Sequence, residues 1–324
     1  MLAKLASPTK TPSQLRPLNP RRDLEAVADL VEICFGDSMD PDGKRYVERM
    51  RSTARNASRS NWTNMNEWND LMMGGYVWQE NDRILGNVSM IPYHLRGNGL
   101  FLIANVAVHP DYRNRGIGRK LTERAIEHAQ QKGSPSTWLQ VREENQTAIG
   151  IYLSLGFIER ARRTTWYSTP DFSISELPLG TRITAPSSRH WYLQRDWFLS
   201  SYPADLSWHI PIKVNAMRPG LWGNITRFFY NLYITQWAIV KGNKLLAVAC
   251  WQPTTGHFNA LWISAPHDCD EQALQSLLIH ARQHASSQKS LMIEYPSLEH
   301  DQGIQGAGFE KHHTLIWMEL QFSK

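Results

Sequence analysis

Apolar positions along the first half of the chain predict helices and strands in a definite order. After a short ordered segment at 15–18, apolar residues recur at intervals of three and four, the spacing of one helix face: Leu24, Val27, Leu30, Val31 and Cys34. Asp23 stands just before this stripe and is the predicted N-cap. A second, more polar helix is expected over residues 43–55.

The pattern then changes to short runs of strand-forming residues. Two such runs, 74–80 and 83–91, flank Asn81 and Asp82 and predict a hairpin, and 100–108 predicts a third strand. An apolar stripe from Ile117 to Ala129 predicts a helix that Gly133 can end. A strand at 137–141 and a short helix at 146–155 follow, so this half alternates between a sheet and the helices that flank it.

The same order of elements recurs in the second half. A strand at 181–184, a helix at 190–199, a hairpin at 237–251 and a strand at 258–263 precede a helix with Leu274 and Leu278 on its apolar face, and then a strand at 291–295. The offset between corresponding positions falls smoothly from 166 to 152 residues, as small deletions between two copies of one fold would produce. We therefore predict two α/β domains, 15–175 and 176–324, after a disordered tail at 1–14.

Composition agrees with two globular domains and excludes several other classes. A chain of 324 residues exceeds what one core usually fills, and 42% hydrophobic with 20% charged residues is an ordinary globular balance. No apolar run has the ~20 residues that span a bilayer, the N-terminus has no signal-peptide pattern, and the three cysteines form no paired motif. We expect a cytoplasmic protein with no membrane partner and no metal. The net charge of +5 decides nothing about partners.

The segment that carries the chemistry joins a strand to a helix through Gly116 and Gly118. The first N–H groups of a helix lack intrahelical partners, and glycines let the backbone approach an anion closely, so this arrangement is typical of a pyrophosphate site. Arg113, Arg115 and Arg119 add positive charge. The spacing matches neither the dinucleotide-binding fingerprint nor the Walker phosphate loop.

This segment resembles the signature of the GNAT superfamily of N-acetyltransferases, Arg/Gln-x-x-Gly-x-Gly/Ala, at Arg113, Gly116 and Gly118. A second block is similar to the family's N-x-x-A-x-x-x-Y-x-x-x-G-F, beginning at Asn145 and ending at Phe157. The resemblance implies two tandem GNAT-like domains, each a mixed, mostly antiparallel sheet flanked by helices. The first would keep the acetyl-CoA site, and the second is similar in layout alone.

The resemblance also implies which residues bind acetyl-CoA. Strand backbone would pair with the acetyl-pantetheine arm, and turn and helix residues would wrap the pyrophosphate; in chain order these are Val106, Ala107, Val108, Arg113, Asn114, Arg115, Gly116, Ile117, Gly118 and Arg119. Asn145 would hydrogen-bond the cofactor from the other side. Tyr152 would face the thioester sulfur and donate a proton to the departing thiolate, while the N–H of Val106 would hold the oxyanion.

The general base is left open by the sequence. Some family members carry a glutamate five residues before the asparagine, and this chain has Gln140 there. Glu143, Glu144, a water chain, a group from the second domain or an acceptor amine of low pKa remain as alternatives. Two functions follow: acetyl transfer to an amine of a small molecule or a peptide, and a non-catalytic acyl-CoA sensor. The second domain could also present a protein N-terminus or a lysine to the first.

The second half is predicted to have lost the anion site. Its matching segment, 264–274, contains no glycine, and it places Asp268, Asp270 and Glu271 at a helix start, where carboxylates satisfy the helix dipole and repel phosphate. We expect one acetyl-CoA per chain. The second domain would cover the acceptor cleft or form a homodimer interface. Most of a group of its tryptophans are expected in the core, and a share of them would line that cleft: Trp191, Trp197, Trp208, Trp222 and Trp237. No nucleic-acid signature accompanies its basic and aromatic residues, and His280 and His284 are expected on a helix surface rather than at a metal.

Overall fold

A computed structural model describes residues 14–57, 74–95, 98–170, 176–206, 213–285 and 289–322. The chain packs as two compact units. Unit 1 spans Met1–Val141, Asn145–Arg160 and Trp317–Lys324, and unit 2 spans Arg142–Glu144 and Ala161–Ile316. The packing units each combine separate stretches of sequence, so they do not test the predicted domain boundary near residue 175, which stays a prediction. The predicted tail, apart from its last residue, lies outside the described residues.

Unit 1 builds its sheet from the first five strands. Its elements are β1 (Gln14–Pro17), α1 (Pro20–Phe35), α2 (Pro41–Ala57), β2 (Gly74–Glu80), β3 (Arg83–Leu95), β4 (Asn98–Val108), α3 (Ile117–Gln131), β5 (Ser136–Arg142) and α4 (Gln146–Ser154). The strand order is β1-β2-β3-β4-β5, and the β4–β5 pair is parallel. The predicted hairpin turn is present, since Asn81 and Asp82 have φ values of 46° and 61°.

Unit 2 repeats this layout. Its elements are β6 (Ile158–Ser168), β7 (Thr181–Thr184), α5 (Trp191–Ser201), α6 (Leu221–Phe229), β8 (Thr235–Lys241), β9 (Lys244–Gln252), β10 (Asn259–Ser264), α7 (Glu271–His284), β11 (Leu291–Pro296), α8 (Asp301–Gly306) and β12 (Phe309–Gln321). The strand order β7-β8-β9-β10-β11 has its parallel pair at β10–β11, so the predicted fold class is confirmed. No helix within the described ranges combines the length and apolar character needed to cross a membrane.

Each sheet is completed by a strand that begins in the other half of the sequence. In unit 2, β6 lies beside β11, and in unit 1 the end of β12 lies beside β5. Trp317 of this end is 1% exposed, and its ring centroid is 6.4 Å from that of Trp138 on β5. The sequence analysis missed both strands, because exposed charged residues occupy the starts of β6 and β12 and hide their alternation.

The first helix begins earlier than the sequence suggested. Its N-cap is Asn19, whose side chain accepts the Arg21 N–H, and Pro20 takes the first helical position. Asp23, the predicted cap, is instead buried in the first turn and pairs with Arg16 at 2.6 Å. Burial alone would raise the pKa of Asp23, but hydrogen bonds from Arg16 and from the Asn19 N–H hold that pKa below its usual value.

Replacing Trp317→Ala should destabilise unit 1, although this residue is near the end of the chain. Removal of a fully buried tryptophan costs about 3 to 5 kcal/mol. Hydrogen exchange is the measurement: amides of β5 should lose protection while amides of β8 and β9 keep theirs. Leu179→Ala, at a side chain that is 95% exposed, is the matched control. Equal loss of protection in both units would contradict the assignment of this segment to unit 1.

Candidate active site

The parallel strands β4 and β5 diverge before β4 ends. Within the described residues their pairing runs from Phe101↔Thr137 to Ile103↔Leu139, yet β4 continues to Val108. The β5-facing edge of β4 therefore keeps backbone N–H and C=O groups that no strand satisfies over residues 104–108. Such an edge can pair with an extended ligand as it would with another strand. The predicted positions 106–108 lie in this stretch.

A β-bulge occurs in the same stretch of β4. Asn87 pairs with Ala107 and Ser89 with Ala104, so two β4 residues stand where β3 provides one. The first of the two, Asn105, has a φ of 48°, a left-handed conformation that asparagine tolerates better than most residues. A bulge bends its strand and redirects the backbone groups that follow, here the N–H groups on the open edge.

Polar side chains hold the bulge in place. Asn87 is fully buried and its Nδ2 donates to the Asn105 carbonyl at 3.1 Å. Asn105 Nδ2 in turn donates to Tyr46 at 3.4 Å and to Ser89 at 3.5 Å. The sequence analysis missed this cluster. A polar Asn inside an apolar strand pattern was the signal that could have found it, because a buried amide is stable only when it is hydrogen-bonded.

The turn after β4 leaves the N-terminus of α3 open. Gly116 precedes the helix with a φ of 75°, and no side chain caps the helix. Lys120 makes the first intrahelical bond, to the Gly116 carbonyl at 3.1 Å, so the N–H groups of the three residues before it have no helical acceptor. A Cβ at Gly116 would meet no atom within 4 Å. Open space beside unpaired amides and the positive helix end fits a pyrophosphate.

The three arginines of the segment have different environments. Arg113 donates to a carbonyl oxygen at the end of β4 at 3.3 Å, and the Arg115 guanidinium lies 4.7 Å from the ring centroid of Tyr112. Both are exposed and lie next to the open amides. Arg119 instead bonds a glutamate one turn later and the last residue of α4, each at 2.8 Å. Arg113 and Arg115 are thus better placed to move onto an anion.

The second predicted block forms α4. Asn145 is its N-cap, and its Oδ1 accepts the Ala148 N–H at 3.1 Å, which leaves its amide nitrogen as the group able to donate to a ligand. Tyr152 is 7% exposed and packs edge-on against Phe157 with ring centroids 6.0 Å apart. Burial raises the pKa of Tyr152 to about 12. The phenol therefore keeps its proton near neutral pH and can act as a donor but not as a base.

Three residues near the end of β5 bear on the identity of the general base: Gln140, Glu143 and Glu144. Gln140 is half-buried on β5 and has no titratable group. Glu143 pairs with Arg162 at 2.5 Å within unit 2, so its carboxylate is already engaged by a cation. Glu144 is exposed. Both lie beyond the end of β5, so neither takes the place of a glutamate at position 140.

The corresponding helix of unit 2 is closed at its N-terminus. Asp270 caps α7, and its Oδ1 accepts the N–H groups of Gln272 at 3.0 Å and Ala273 at 3.4 Å. As the sequence predicts, a carboxylate of the chain itself, that of Asp270, satisfies this helix start. The next carboxylate, Glu271, instead accepts the N–H of Gly303 in α8 at 2.6 Å.

The strand divergence also recurs in unit 2, but a side chain fills it. The β10–β11 pairing ends at Ala260↔Met292. Tyr202, which is 1% exposed, donates its hydroxyl to the carbonyl of Glu294 on β11 at 3.0 Å. Its ring packs edge-on against Trp262 of β10 and Tyr295 of β11, with centroids 5.4 Å and 6.1 Å away. One tyrosine side chain thus contacts both diverging strands. The sequence analysis missed this residue, since nothing local distinguishes it from a core tyrosine.

The tryptophans and histidines singled out in the sequence have ordinary positions in most cases. Trp191 is buried in the core of unit 2, and Trp197 and Trp237 pack against buried clusters. Trp222 is 64% exposed, and Trp208 lies outside the described residues. A role in lining an acceptor cleft stays a prediction. His280 and His284 stack at 3.9 Å on α7, and the described ranges contain no group of three or more candidate metal ligands.

Fold and site together define a class of protein with a splayed parallel strand pair next to an open helix N-terminus. Residues 44–157 match the Acetyltransferase (GNAT) family, and the chain therefore contains a GNAT acetyltransferase domain. A crystal structure of a GCN5-related N-acetyltransferase from Sphaerobacter thermophilus has the same fold over 95% of both chains, with a TM-score of 0.58 and 13% identity.

Two relatives match part of this domain. [Ribosomal protein bS18]-alanine N-acetyltransferase of Escherichia coli (strain K12) is 45% identical over 67 residues, 21% of this chain and 45% of that protein. Mycothiol acetyltransferase of Thermobifida fusca (strain YX) is 46% identical over 52 residues, 16% of each chain. The chain thus spans about half the length, or less, of the relatives that it matches.

Gly116→Ala should weaken acetyl-CoA binding by about tenfold or more, while Gly133→Ala should not. Both glycines have left-handed φ, 75° and 70°, both flank α3, and neither Cβ would meet an atom within 4 Å. Each substitution therefore costs about 1 kcal/mol of backbone strain, but only the first disturbs the open amides. Titration calorimetry and urea unfolding measure the two effects. Equal affinities would mean that Gly116 shapes a turn and nothing more.

Native mass spectrometry with saturating acetyl-CoA should count one ligand per chain. In unit 2 Asp270 caps the helix start and Tyr202 contacts both diverging strands, so side chains of the chain itself occupy the two places that the ligand would need. The Gly116→Ala variant is the control and should show lower occupancy than the wild type when acetyl-CoA is near the wild-type Kd. A second equivalent in the wild type, or one retained undiminished in the variant, would contradict this reading of unit 2.

Proposed function

We propose that unit 1 transfers an acetyl group from acetyl-CoA to an amine. The observation that carries the proposal is the open β4 edge directly before the uncapped start of α3, within a domain of the GNAT family. A strand edge suits the amide-rich pantetheine arm, and a helix N-terminus suits the pyrophosphate. The residues proposed to bind the cofactor are Val106, Ala107, Val108, the segment 113–119 and Asn145.

The chemistry needs two groups from this chain. A neutral amine attacks the thioester carbonyl, and the negative charge that develops on its oxygen is held by the N–H of Val106, which the bulge redirects. The carbon–sulfur bond then breaks, and the thiolate takes the proton of the Tyr152 hydroxyl. The attacking nitrogen releases its own proton to water, and water returns a proton to the tyrosinate, so the enzyme is restored and the protons balance. The pKa of about 12 means that Tyr152 is protonated in the resting enzyme and has a proton to donate.

Position 140 has a glutamine and not a glutamate, and this absence of a base favours an acceptor amine of low pKa. Without a strong base the amine must arrive unprotonated, and an α-amino group has a pKa near 8 whereas a lysine side chain has one near 10.4. Near pH 7.5 roughly a quarter of α-amines are neutral, against about one lysine in a thousand. We therefore propose an α-amine, or another amine of low pKa on a small molecule or peptide, as the acceptor. The alanine acceptor named for the E. coli relative is of this class.

The alternative function is a non-catalytic acyl-CoA sensor. Two features favour a sensor: position 140 has no carboxylate, and the carboxylate of Glu143 is paired with Arg162. Neither residue then offers a free carboxylate to accept a proton. The two functions differ in one observable: an acetyltransferase releases free thiol when acetyl-CoA is incubated with a panel of α-amines, and a sensor does not.

Tyr152→Phe should lower kcat by about 10 to 1000-fold with little change in acetyl-CoA affinity, because the ring still packs but the proton donor is lost. Since the pKa of Tyr152 is about 12, the wild type should show no descending limb from this group below pH 10. Thiol release against pH measures both effects.

The control is Tyr76→Phe, which alters another buried tyrosine of unit 1, bonded to His128, and should leave kcat unchanged. A Tyr152→Phe enzyme within about twofold of the wild type would make Tyr152 a packing residue.

A further inference from the structure

Helix α6 of unit 2 presents its apolar face outward. Its large apolar side chains are exposed by 37% to 83%: Leu221, Trp222, Ile225, Phe228 and Phe229. At about 100° per residue these five positions fall within an arc of roughly 120°. An apolar stripe of that width normally faces a protein core, so its exposure requires an explanation.

The opposite side of α6 anchors the helix to the protein. Gly223 is its buried residue, and a Cβ there would lie 1.7 Å from the carbonyl oxygen of Arg218. Arg227, on the same side, donates to the Ala216 carbonyl at 2.6 Å. A larger residue at position 223 could not pack this closely. The glycine and the arginine therefore fix the orientation in which the aromatic rings point away from the protein.

The exposed stripe continues past the end of the helix. Tyr230 and Tyr233 are exposed by 59% and 61%, and with the five helix residues we call this set the outward stripe. It contains seven of the 15 large hydrophobic side chains that are exposed in the described residues. Concentration of exposed apolar surface in one short segment is typical of an interaction site, whereas single exposed residues are ordinary.

The outward stripe lies in a stretch of sequence without acidic residues. Between Asp205 and Asp268 there is no Asp or Glu, and there are five basic residues: Lys213, Arg218, Arg227, Lys241 and Lys244. This excess equals the net charge of +5 of the whole chain. Lys213 Nζ lies 5.8 Å from the ring centroid of Tyr230, so positive charge also borders the stripe in space. The segment is complementary to a negatively charged surface.

We propose that the outward stripe docks unit 2 on the surface of an anionic lipid bilayer. Aromatic and aliphatic side chains of an amphipathic helix enter the boundary between headgroups and acyl chains, and neighbouring cations are attracted by the lipid phosphates. Side chains as exposed as Phe228 and Phe229 stand out from the protein surface, which is what insertion requires. The proposal is independent of acetyl transfer by unit 1.

The positive charge of the segment favours a lipid surface over a second copy of the chain. In a two-fold dimer through the stripe, each copy would place the same cations opposite one another, since such an interface repeats one surface on both partners. The sequence-based expectation of no membrane partner relied on the absence of a spanning segment. An interfacial helix needs no such length, because it lies in the membrane plane.

Flotation of the full chain with vesicles tests the proposal. Vesicles of phosphatidylcholine containing about 30% phosphatidylglycerol should bind the protein, those of phosphatidylcholine alone should bind it far less, and added salt should weaken binding. Phe228→Ser combined with Phe229→Ser should reduce binding by about tenfold or more. Leu179→Ser, at an isolated side chain that is 95% exposed, is the matched control and should bind as the wild type does. Circular dichroism checks that each variant is folded.

Several results would overturn the proposal. One is a wild-type protein that fails to float with anionic vesicles at low salt, and another is a double variant that binds them as well as the wild type. A third is a wild-type dimer without lipid binding that the double variant converts to monomer in light scattering, which would assign the stripe to a second copy. A fourth is binding of a single-stranded oligonucleotide that the double variant loses while vesicle binding is absent.

Discussion

The divergence of a parallel strand pair is the constraint on which the rest of this molecule depends. Parallel strands that separate leave backbone groups on two edges without partners, and unpaired buried backbone groups are costly. The chain contains this feature twice, at β4–β5 and at β10–β11. In unit 2 the Tyr202 side chain contacts both strands: its hydroxyl donates to the Glu294 carbonyl on β11, and its ring packs against Trp262 of β10. In unit 1 the edge stays open, and a bulge at Asn105 redirects its N–H groups.

The helix that follows each pair of diverging strands needs hydrogen-bond acceptors at its N-terminus, and either the chain or a ligand can provide them. A helix start needs acceptors for its first N–H groups, and a side chain or an anion can supply them equally well. Asp270 supplies them in unit 2, whereas Gly116 supplies none in unit 1. The two halves thus share one scaffold and differ in a few positions, so similar strand orders coexist with an open helix start in unit 1 and a capped one in unit 2.

The sequence predicted what depends on local pattern and missed what depends on tertiary contacts. Strands such as β7, Thr181–Thr184, were predicted at their observed bounds, and the glycines of the turn before α3 were found by their spacing. Tyr202 could not be found, because its role arises from two strands far apart in sequence. For α6, apolar spacing could show an amphipathic helix but not which side faces inward. That side is decided by Gly223 against the Arg218 carbonyl.

The second half of the sequence also contributes structure to unit 1. The chain that folds unit 2 ends by placing Trp317–Gln321 in the sheet of unit 1, beside β5. Arg160, near the start of β6, pairs there with Glu319 at 2.7 Å, and that carboxylate is 10% exposed. Breaking a largely buried ion pair leaves an uncompensated charge and is strongly destabilising. The second half therefore cannot be removed without taking a strand, a buried tryptophan and an ion pair from the unit proposed to bind acetyl-CoA.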